Sequence, residues 1–285
     1  QAIQAAFRSL RPLADYDNLY AAARCRSEAD WIVGLNATRN YTVRYGAAGI
    51  LWSLGRVQTP VLAMIVRRDD EIRTFKPQPF WELRTNYRQV CFRYAGDRFD
   101  KQQEAQAILD RVISHPLEIR KVERQPEKSL PPQLYDLTEL QRDMNRRFGM
   151  SAATTLQNAQ SLYEGKLITY PRTDSRYLTT DMKKEVPGIF RDLQSLKPHE
   201  VSKLDLQALP FNGRIVNNQK VTDHHAIIPT GAMPGTLRDG EQKVYEAIVV
   251  RFIAAFYPPC LKEVTTVDGV ANNVPFRARG VRVVA

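Results

Sequence analysis

Residues 167–178 read LITYPRTDSRYL, and Tyr170 is followed at once by Pro171, Arg172, Thr173, Asp174, Ser175 and Arg176. A tyrosine oxygen is a nucleophile once it loses its proton. Guanidiniums beside it stay charged at any working pH, and can lower the phenol's pKa or hold a phosphate in their fork. Pro171 lacks a backbone donor and fixes φ, so the chain turns just after the tyrosine. That leaves Tyr170 at the end of a short apolar run, where functional residues concentrate. The alternative is a tyrosine packed in the core with its hydroxyl reaching for a surface partner.

A second cluster, VTDHHAIIPT at 221–230, sets His224 and His225 side by side next to Asp223. Adjacent histidines rarely share one metal and no third ligand stands at zinc-site spacing, so no metal ligand is assigned. A histidine that donates to a phosphate oxygen fits better, because the protonated ring offers two donors near neutral pH. His115 and His199 fall in polar stretches and receive no role.

Those residues must be carried by a scaffold, and the chain is long enough for one. It has 285 residues, 43% of them hydrophobic, so two or more domains are expected. Lys and Arg outnumber Asp and Glu by 41 to 31, a formal charge of +10 that favours a polyanionic partner such as nucleic acid. Cys25, Cys91 and Cys260 are scattered and odd in number, which excludes a disulfide framework or a paired-cysteine zinc site; a reducing, cytoplasmic setting is expected. No apolar run approaches the ~20 residues of a membrane span.

Periodicity divides the chain. From 1 to 76 it is helical, beginning with QAIQAAFRSL. Ser27 is read as the cap of SEADWIVGLNATRNYTVRYG, with Asp30 in the capping-box position and Gly46 as the stop. That helix sets Asn36, Arg39 and Asn40 within a turn of one another. In SLGRVQTPVLAMIVRRDDEI, Thr59 is read as a cap and Pro60 as the first helical residue. Gly55, Arg56 and Gln58 then lie at a helix start, whose free amides attract phosphate. Residues 77–132 alternate as strands, with a Gly96–Asp97 turn, the helix KQQEAQAILDRVISH, the strand LEIRKVERQ and a linker, PEKSLPPQ. Residues 133–258 return to helix: LYDLTELQRDMNRRF ends at Gly149, Ser151 caps SAATTLQNAQSLYE, and Gly165 closes it before a short strand, LITYPR. Two helices, a brief turn and a strand resemble a winged helix; a plain helical hairpin is the alternative. Residues 259–285 are strand again, with turns at Asp268–Gly269 and Asn272–Asn273, so a helical insert interrupts one β unit.

Three ordered segments, SLGRVQTPVLAMIVRRDDEI, LITYPRTDSRYL and VTDHHAIIPT, with ADWIVGLNATR ahead of them, resemble the type IA DNA topoisomerases, and most of all the topoisomerase III branch. The fold class this implies is multidomain α+β. Part of a helical domain IV spans 1–76, a β-rich domain II spans 77–132 and returns at 259–285, and a helical, winged-helix-like domain III at 133–258 carries the tyrosine. The resemblance makes Tyr170 the nucleophile of a 5′-phosphotyrosyl intermediate, with Arg172 and His224 as its catalytic partners. It places Arg39, Arg56, Gln58, Asp174 and Ser175 against single-stranded DNA. It implies a chain cut from a longer polypeptide, without an acidic, magnesium-binding Toprim domain and the rest of the carboxyl-terminal part, and unable to relax DNA alone. Mg2+ would be held by that Toprim domain and not by these residues. A helicase partner and a nucleoid-associated, cytoplasmic location are further implications, and membrane association is not expected. The competing function is a winged-helix module that binds nucleic acid without chemistry.

Overall fold

A computed structural model describes residues 4, 7–47 and 49–284. Of the amino-terminal stretch read as helical, residues 1–3, 5 and 6 lie outside the described residues, as does Ala285 of the closing strand. The chain divides into two compact units, Gln1–Pro79 and Phe80–Ala285.

In the first unit, helix α1 spans Asp17–Tyr45 and α2 spans Gln58–Arg73. Ser27 is therefore interior to α1 and not its cap. The preceding DNLYAAARCR is rich in alanine and straight side chains that lose little freedom in a helix, so nothing halts the helix there. Gly46 does end α1: its N–H closes the last turn on Thr42 O at 2.9 Å and its backbone then turns extended, at a place where a Cβ would collide with that carbonyl. The connecting loop is tied back to α1 by two hydroxyls: Leu54 N donates to Thr38 Oγ1 and Trp52 N to Thr42 Oγ1, each at 3.0 Å. Thr59 lies inside the first turn of α2, where its hydroxyl accepts from Gly55 N at 3.0 Å. Pro60 follows it there, at a position whose N–H has no helical partner to lose. Neither helix contains a buried residue. Val61, Ile65 and Ile72 share a side of α2, as their spacing predicts, but all three are exposed.

The second unit is built on an antiparallel sheet in the order β1-β2-β5-β4-β3. Its strands are β1 (Arg84–Tyr87), β2 (Val90–Tyr94), β3 (Glu118–Ser129), β4 (Cys260–Ala271) and β5 (Val274–Val283). The two late strands thus sit between β2 and β3, with the helical segments inserted between β3 and β4 in sequence. Alternation fixes which face is covered: Phe92, Val274, Phe276 and Ala278 point to a small core shared with Val112 of helix α3 (Gln102–Val112).

Several turns differ from their sequence reading. Pro126 of the expected linker lies within β3, which it can do because β3 is an edge strand and a missing donor there breaks no ladder. Asp268–Gly269 continues β4 instead of turning, with Gly269 opposite Phe276. The β4–β5 turn is Asn272–Asn273, both at positive φ, the tight hairpin geometry asparagine tolerates. The β1–β2 turn is Arg88–Gln89, also at positive φ (45° and 68°) without Gly or Asn. Trp81 pairs only as a bridge to Phe99, across the bend at Gly96.

Between β3 and β4 lies the larger core. Helix α4 (Leu137–Phe148) is capped by Asp136, whose carboxylate accepts from Glu139 N at 2.6 Å, and ends at Gly149 in the left-handed region. Ser151 caps α5 (Ala152–Glu164), accepting from Thr154 N at 3.0 Å. Helices α6 (Val186–Leu193) and α7 (Pro198–Val201) follow. The long α8 (Asp239–Ala255) then packs against the pair: Leu140, Met144, Ala159, Leu162, Val244 and Ile248 are buried together. Phe190 stacks on Phe252 at 4.7 Å and meets Phe256 edge-on at 5.1 Å. The α4–α5 pair matches its reading, but no wing strand follows it. Ile168 makes a single bridge to Pro229, because Pro171 and Pro229 leave too few donors for a ladder.

Tyr135 closes this core just before α4. Burial first, and the Asp143 carboxylate against its hydroxyl second, push its phenol up from 10.0 to about 12. The unfolded chain releases that proton from about pH 10 while the folded chain holds it, so stability falls as pH rises between about 10 and 12. Urea midpoints measured across that interval should fall less steeply for Tyr135→Phe than for the parent chain.

Candidate active site

The tyrosine segment is positioned by its neighbour in space, not in sequence. Thr169 N donates to Ile228 O at 2.9 Å, Ile228 N returns to Thr169 Oγ1 at 3.0 Å, and Thr169 Oγ1 donates to Ala226 O at 3.1 Å. Farther along, Thr173 Oγ1 donates to His224 O at 2.9 Å and Ala226 N to Tyr177 O at 2.9 Å. LITYPRTDSRYL and VTDHHAIIPT are thereby laid side by side, although Tyr170 and His224 are far apart in sequence.

This pairing brings the Tyr170 and His224 rings to 4.5 Å between centroids at 48°. Tyr163, from the last turn of α5, meets Tyr170 edge-on at 5.3 Å and 76°. The ring is thus held between two aromatic neighbours. Its hydroxyl has no hydrogen-bond partner among the described residues, and it is not among sealed polar atoms, since no buried side-chain oxygen or nitrogen there lacks a partner. His224 is exposed, and so is Arg172, whose guanidinium makes no ion pair or hydrogen bond among the described residues. A half-exposed phenol with an open oxygen, an imidazole on its face and an unengaged guanidinium nearby in sequence can meet an anionic ester.

Arg176 is different. Read from sequence as a cation for the phenol or a phosphate, it is instead bound by Asp136 at 2.6 Å and Glu139 at 3.4 Å. The Asp136 hydrogen bond raises its pKa, against a smaller opposing effect of burial. Asp136 thus caps α4 with one oxygen and holds the tyrosine loop with the other. Leu137 N adds a bond to Thr173 O at 3.0 Å, so the start of α4 braces the loop twice.

The profile of the DNA topoisomerase family matches residues 14–285. The chain belongs to that family. It is 40% identical over 296 residues to DNA topoisomerase 3 of Bacillus cereus, covering 98% of this chain and 39% of that protein. It is equally similar, 40% over 299 residues, to DNA topoisomerase 3 of Shouchella clausii, covering 100% of this chain and 40% of that protein. This places it in the type IA, topoisomerase III branch. The fold resembles part of the full-length topoisomerase I of Thermotoga maritima, with a TM-score of 0.65 at 22% identity over 92% of this chain and 43% of that one. The chain spans about two fifths of the curated relatives it matches.

The remaining sequence-derived residues of this topoisomerase chain differ in their surroundings. Asp174 is exposed and accepts from Thr222 Oγ1 at 3.3 Å. Ser175 is buried, with its hydroxyl donating to Lys220 O at 2.9 Å, so it braces the loop from inside. In the first unit, Arg39 is exposed on α1 without an ion pair among the described residues. Arg56 is held two-pronged by Asp30 at 2.5 and 3.2 Å, and Gln58 Nε2 donates to Ser53 Oγ at 2.9 Å. The pairing with Arg56, through its hydrogen bond first, lowers the Asp30 pKa. Asp30, expected in the capping-box position behind Ser27, is spent on Arg56.

Sequence reasoning passed over Tyr163, Thr169, Thr173 and Asp136. Only Asp136 left a local signal, an acid three residues before Glu139 at a helix start; the others are defined by contacts with distant residues. Among the described residues no three His, Cys, Asp or Glu side chains gather as a metal site. No helix among them is long and apolar enough to cross a membrane.

Thr173 Oγ1 is the hinge pin of the site: it donates to His224 O and accepts from Ser175 N at 3.1 Å while itself buried. Thr173→Val keeps the shape and strands both partners, which should cost about 1–3 kcal/mol in urea unfolding. A change below about 0.5 kcal/mol would show that these bonds do not hold the loop.

Proposed function

We propose that this chain is the strand-cutting core of a type IA topoisomerase, with Tyr170 as its nucleophile. The observation that carries the reading is the Tyr170 ring 4.5 Å from the His224 ring, centroid to centroid, with a hydroxyl that no described residue engages. In the proposed step, the phenolate oxygen attacks a phosphorus of single-stranded DNA in line with the departing 3′ oxygen. The bond to that oxygen breaks, a 3′-hydroxyl is released, and the 5′ phosphate remains on the tyrosine. The broken bond's energy is kept in an aryl phosphodiester, so reversal reseals the strand without ATP. Charge spreads over the non-bridging oxygens at the transition state, where Arg172 and His224 supply donors. A free phenol has a pKa of about 10, so cationic neighbours must stabilise the phenolate while an external base takes its proton, and a proton from the acid so formed or from solvent completes the departing 3′-hydroxyl.

Arg39, Arg56, Gln58 and Asp174 are proposed to contact the single strand, and Ser175 to shape the loop that does so. Mg2+ is proposed to act through a Toprim domain outside this sequence, and no step above passes through it. The same outside regions, and a helicase, are the proposed partners, in a nucleoid-associated cytoplasmic setting. The likeness to relatives named DNA topoisomerase 3 supports strand passage in relaxation or decatenation as the overall activity.

Tyr170→Phe in the full-length protein should abolish the denaturant-resistant DNA adduct while changing oligonucleotide affinity by no more than about twofold. An undiminished adduct would remove Tyr170 from the chemistry. If no adduct forms with the unmutated protein either, the module that binds without cutting is the better account. The purified 285-residue chain should not relax supercoiled DNA even with magnesium, and robust relaxation in a gel assay would refute that expectation.

A further inference from the structure

The face of the sheet opposite the Phe92–Phe276 core carries an unusual row of charges. Arg84 of β1 stands directly opposite Arg93 of β2, and Arg93 directly opposite Arg277 of β5. Residues opposite one another share a face, and like charges so placed are destabilising. The register leaves no choice: Phe92, Phe276 and Ala278 alternate with Arg93, Arg277 and Arg279, so burying the apolar set turns every arginine outward. Arg279 extends the row by one repeat along β5.

Three of the four arginines have a carboxylate to one side. Arg84 pairs with Glu82 at 2.5 Å, Arg277 with Asp268 at 2.6 Å and Arg279 with Glu127 at 3.2 Å. Arg93, between two other guanidiniums, has no ion pair among the described residues. Together they line a concavity of about 700 Å³ whose other walls are Val90, Cys91, Tyr94 and Ala95, with no acidic residue in it. Strands lie ~4.8 Å apart, so the row from Arg84 to Arg277 is about 10 Å long. That is too long for one phosphate and comparable to the reach of successive phosphates on a nucleic-acid strand. Each guanidinium offers five donors, and its carboxylate takes at most two of Arg84's and one of Arg277's.

We propose that Arg84, Arg93, Arg277 and Arg279 form a second nucleic-acid contact face, which takes the phosphodiester backbone of DNA independently of the tyrosine cluster. None of Tyr170, Arg172 and His224 lines it, and it stands whether or not Tyr170 is a nucleophile. The contacts are to backbone alone, so the face reads charge spacing and not sequence.

The test is fluorescence anisotropy of the 285-residue chain with labelled mixed-sequence oligonucleotides, one single-stranded and one duplex, titrated in salt. Arg93 is exposed and makes no ion pair among the described residues, and it faces two other guanidiniums, so Arg93→Gln should not lower the thermal midpoint. It should weaken binding about 3- to 10-fold at low salt. The slope of log affinity against log salt should fall by roughly 0.9 for duplex or 0.7 for single strands, one lost phosphate contact. Arg93→Lys should restore that slope. The form of DNA whose slope changes is the form the face holds. An unchanged slope and affinity for both oligonucleotides, failure of Arg93→Lys to restore the slope, or no binding by the parent chain would each overturn the proposal.

Discussion

The site depends on two threonine hydroxyls. Thr169 and Thr173 each donate to a backbone carbonyl of the 224–228 segment and accept a backbone N–H in turn, and so bind two irregular segments that lack a ladder of their own. Irregular backbone is tolerable beside a core only when its polar groups find partners. Here the partners are supplied by side chains, which leaves the intervening Tyr170 and Arg172 free of structural duty. That economy explains how an open tyrosine hydroxyl can sit at the edge of a fully packed helical core whose Ile168, Ile227 and Ile228 are buried around it.

The core in turn anchors the loop from the other side. Asp136 closes the start of α4 and grips Arg176, so helix packing and loop position are one interaction. The Arg176–Asp136 pair is only partly exposed, a setting where ion pairs hold geometry better than they do on open surface. The sheet plays a different part. It receives the helical segments between β3 and β4, so one β unit frames the insert at both ends, while its outer face concentrates arginines by simple alternation.

The first unit shows what a helical pattern leaves undecided. Its two helices form where alanine, leucine and arginine favour them, yet Trp31, Leu62 and Met64 remain exposed, and the loop between them is tied by the Thr38 and Thr42 hydroxyls and the Arg56–Asp30 pair. Propensity makes a helix, whereas burial requires a second surface.

Much of this protein was readable in its residues. Gly149, Ser151 and Gly165 mark helix ends by local chemistry, the Asn272–Asn273 hairpin follows from the residues that accept positive φ, and ordered motifs around Tyr170 and His224 identify the family. Where the reading slipped, at Ser27, Pro126, Asp268–Gly269 and the strand expected at Leu167–Tyr170, a local preference was overruled by neighbours in space. Sequence alone determined which residue types could do chemistry, because nucleophilicity and charge belong to the side chain. Tertiary structure alone decided that His224 lies on Tyr170, that Arg176 is spent on Asp136 and that three arginines share a row, because those are distances between residues whose separation along the chain carries no information about space.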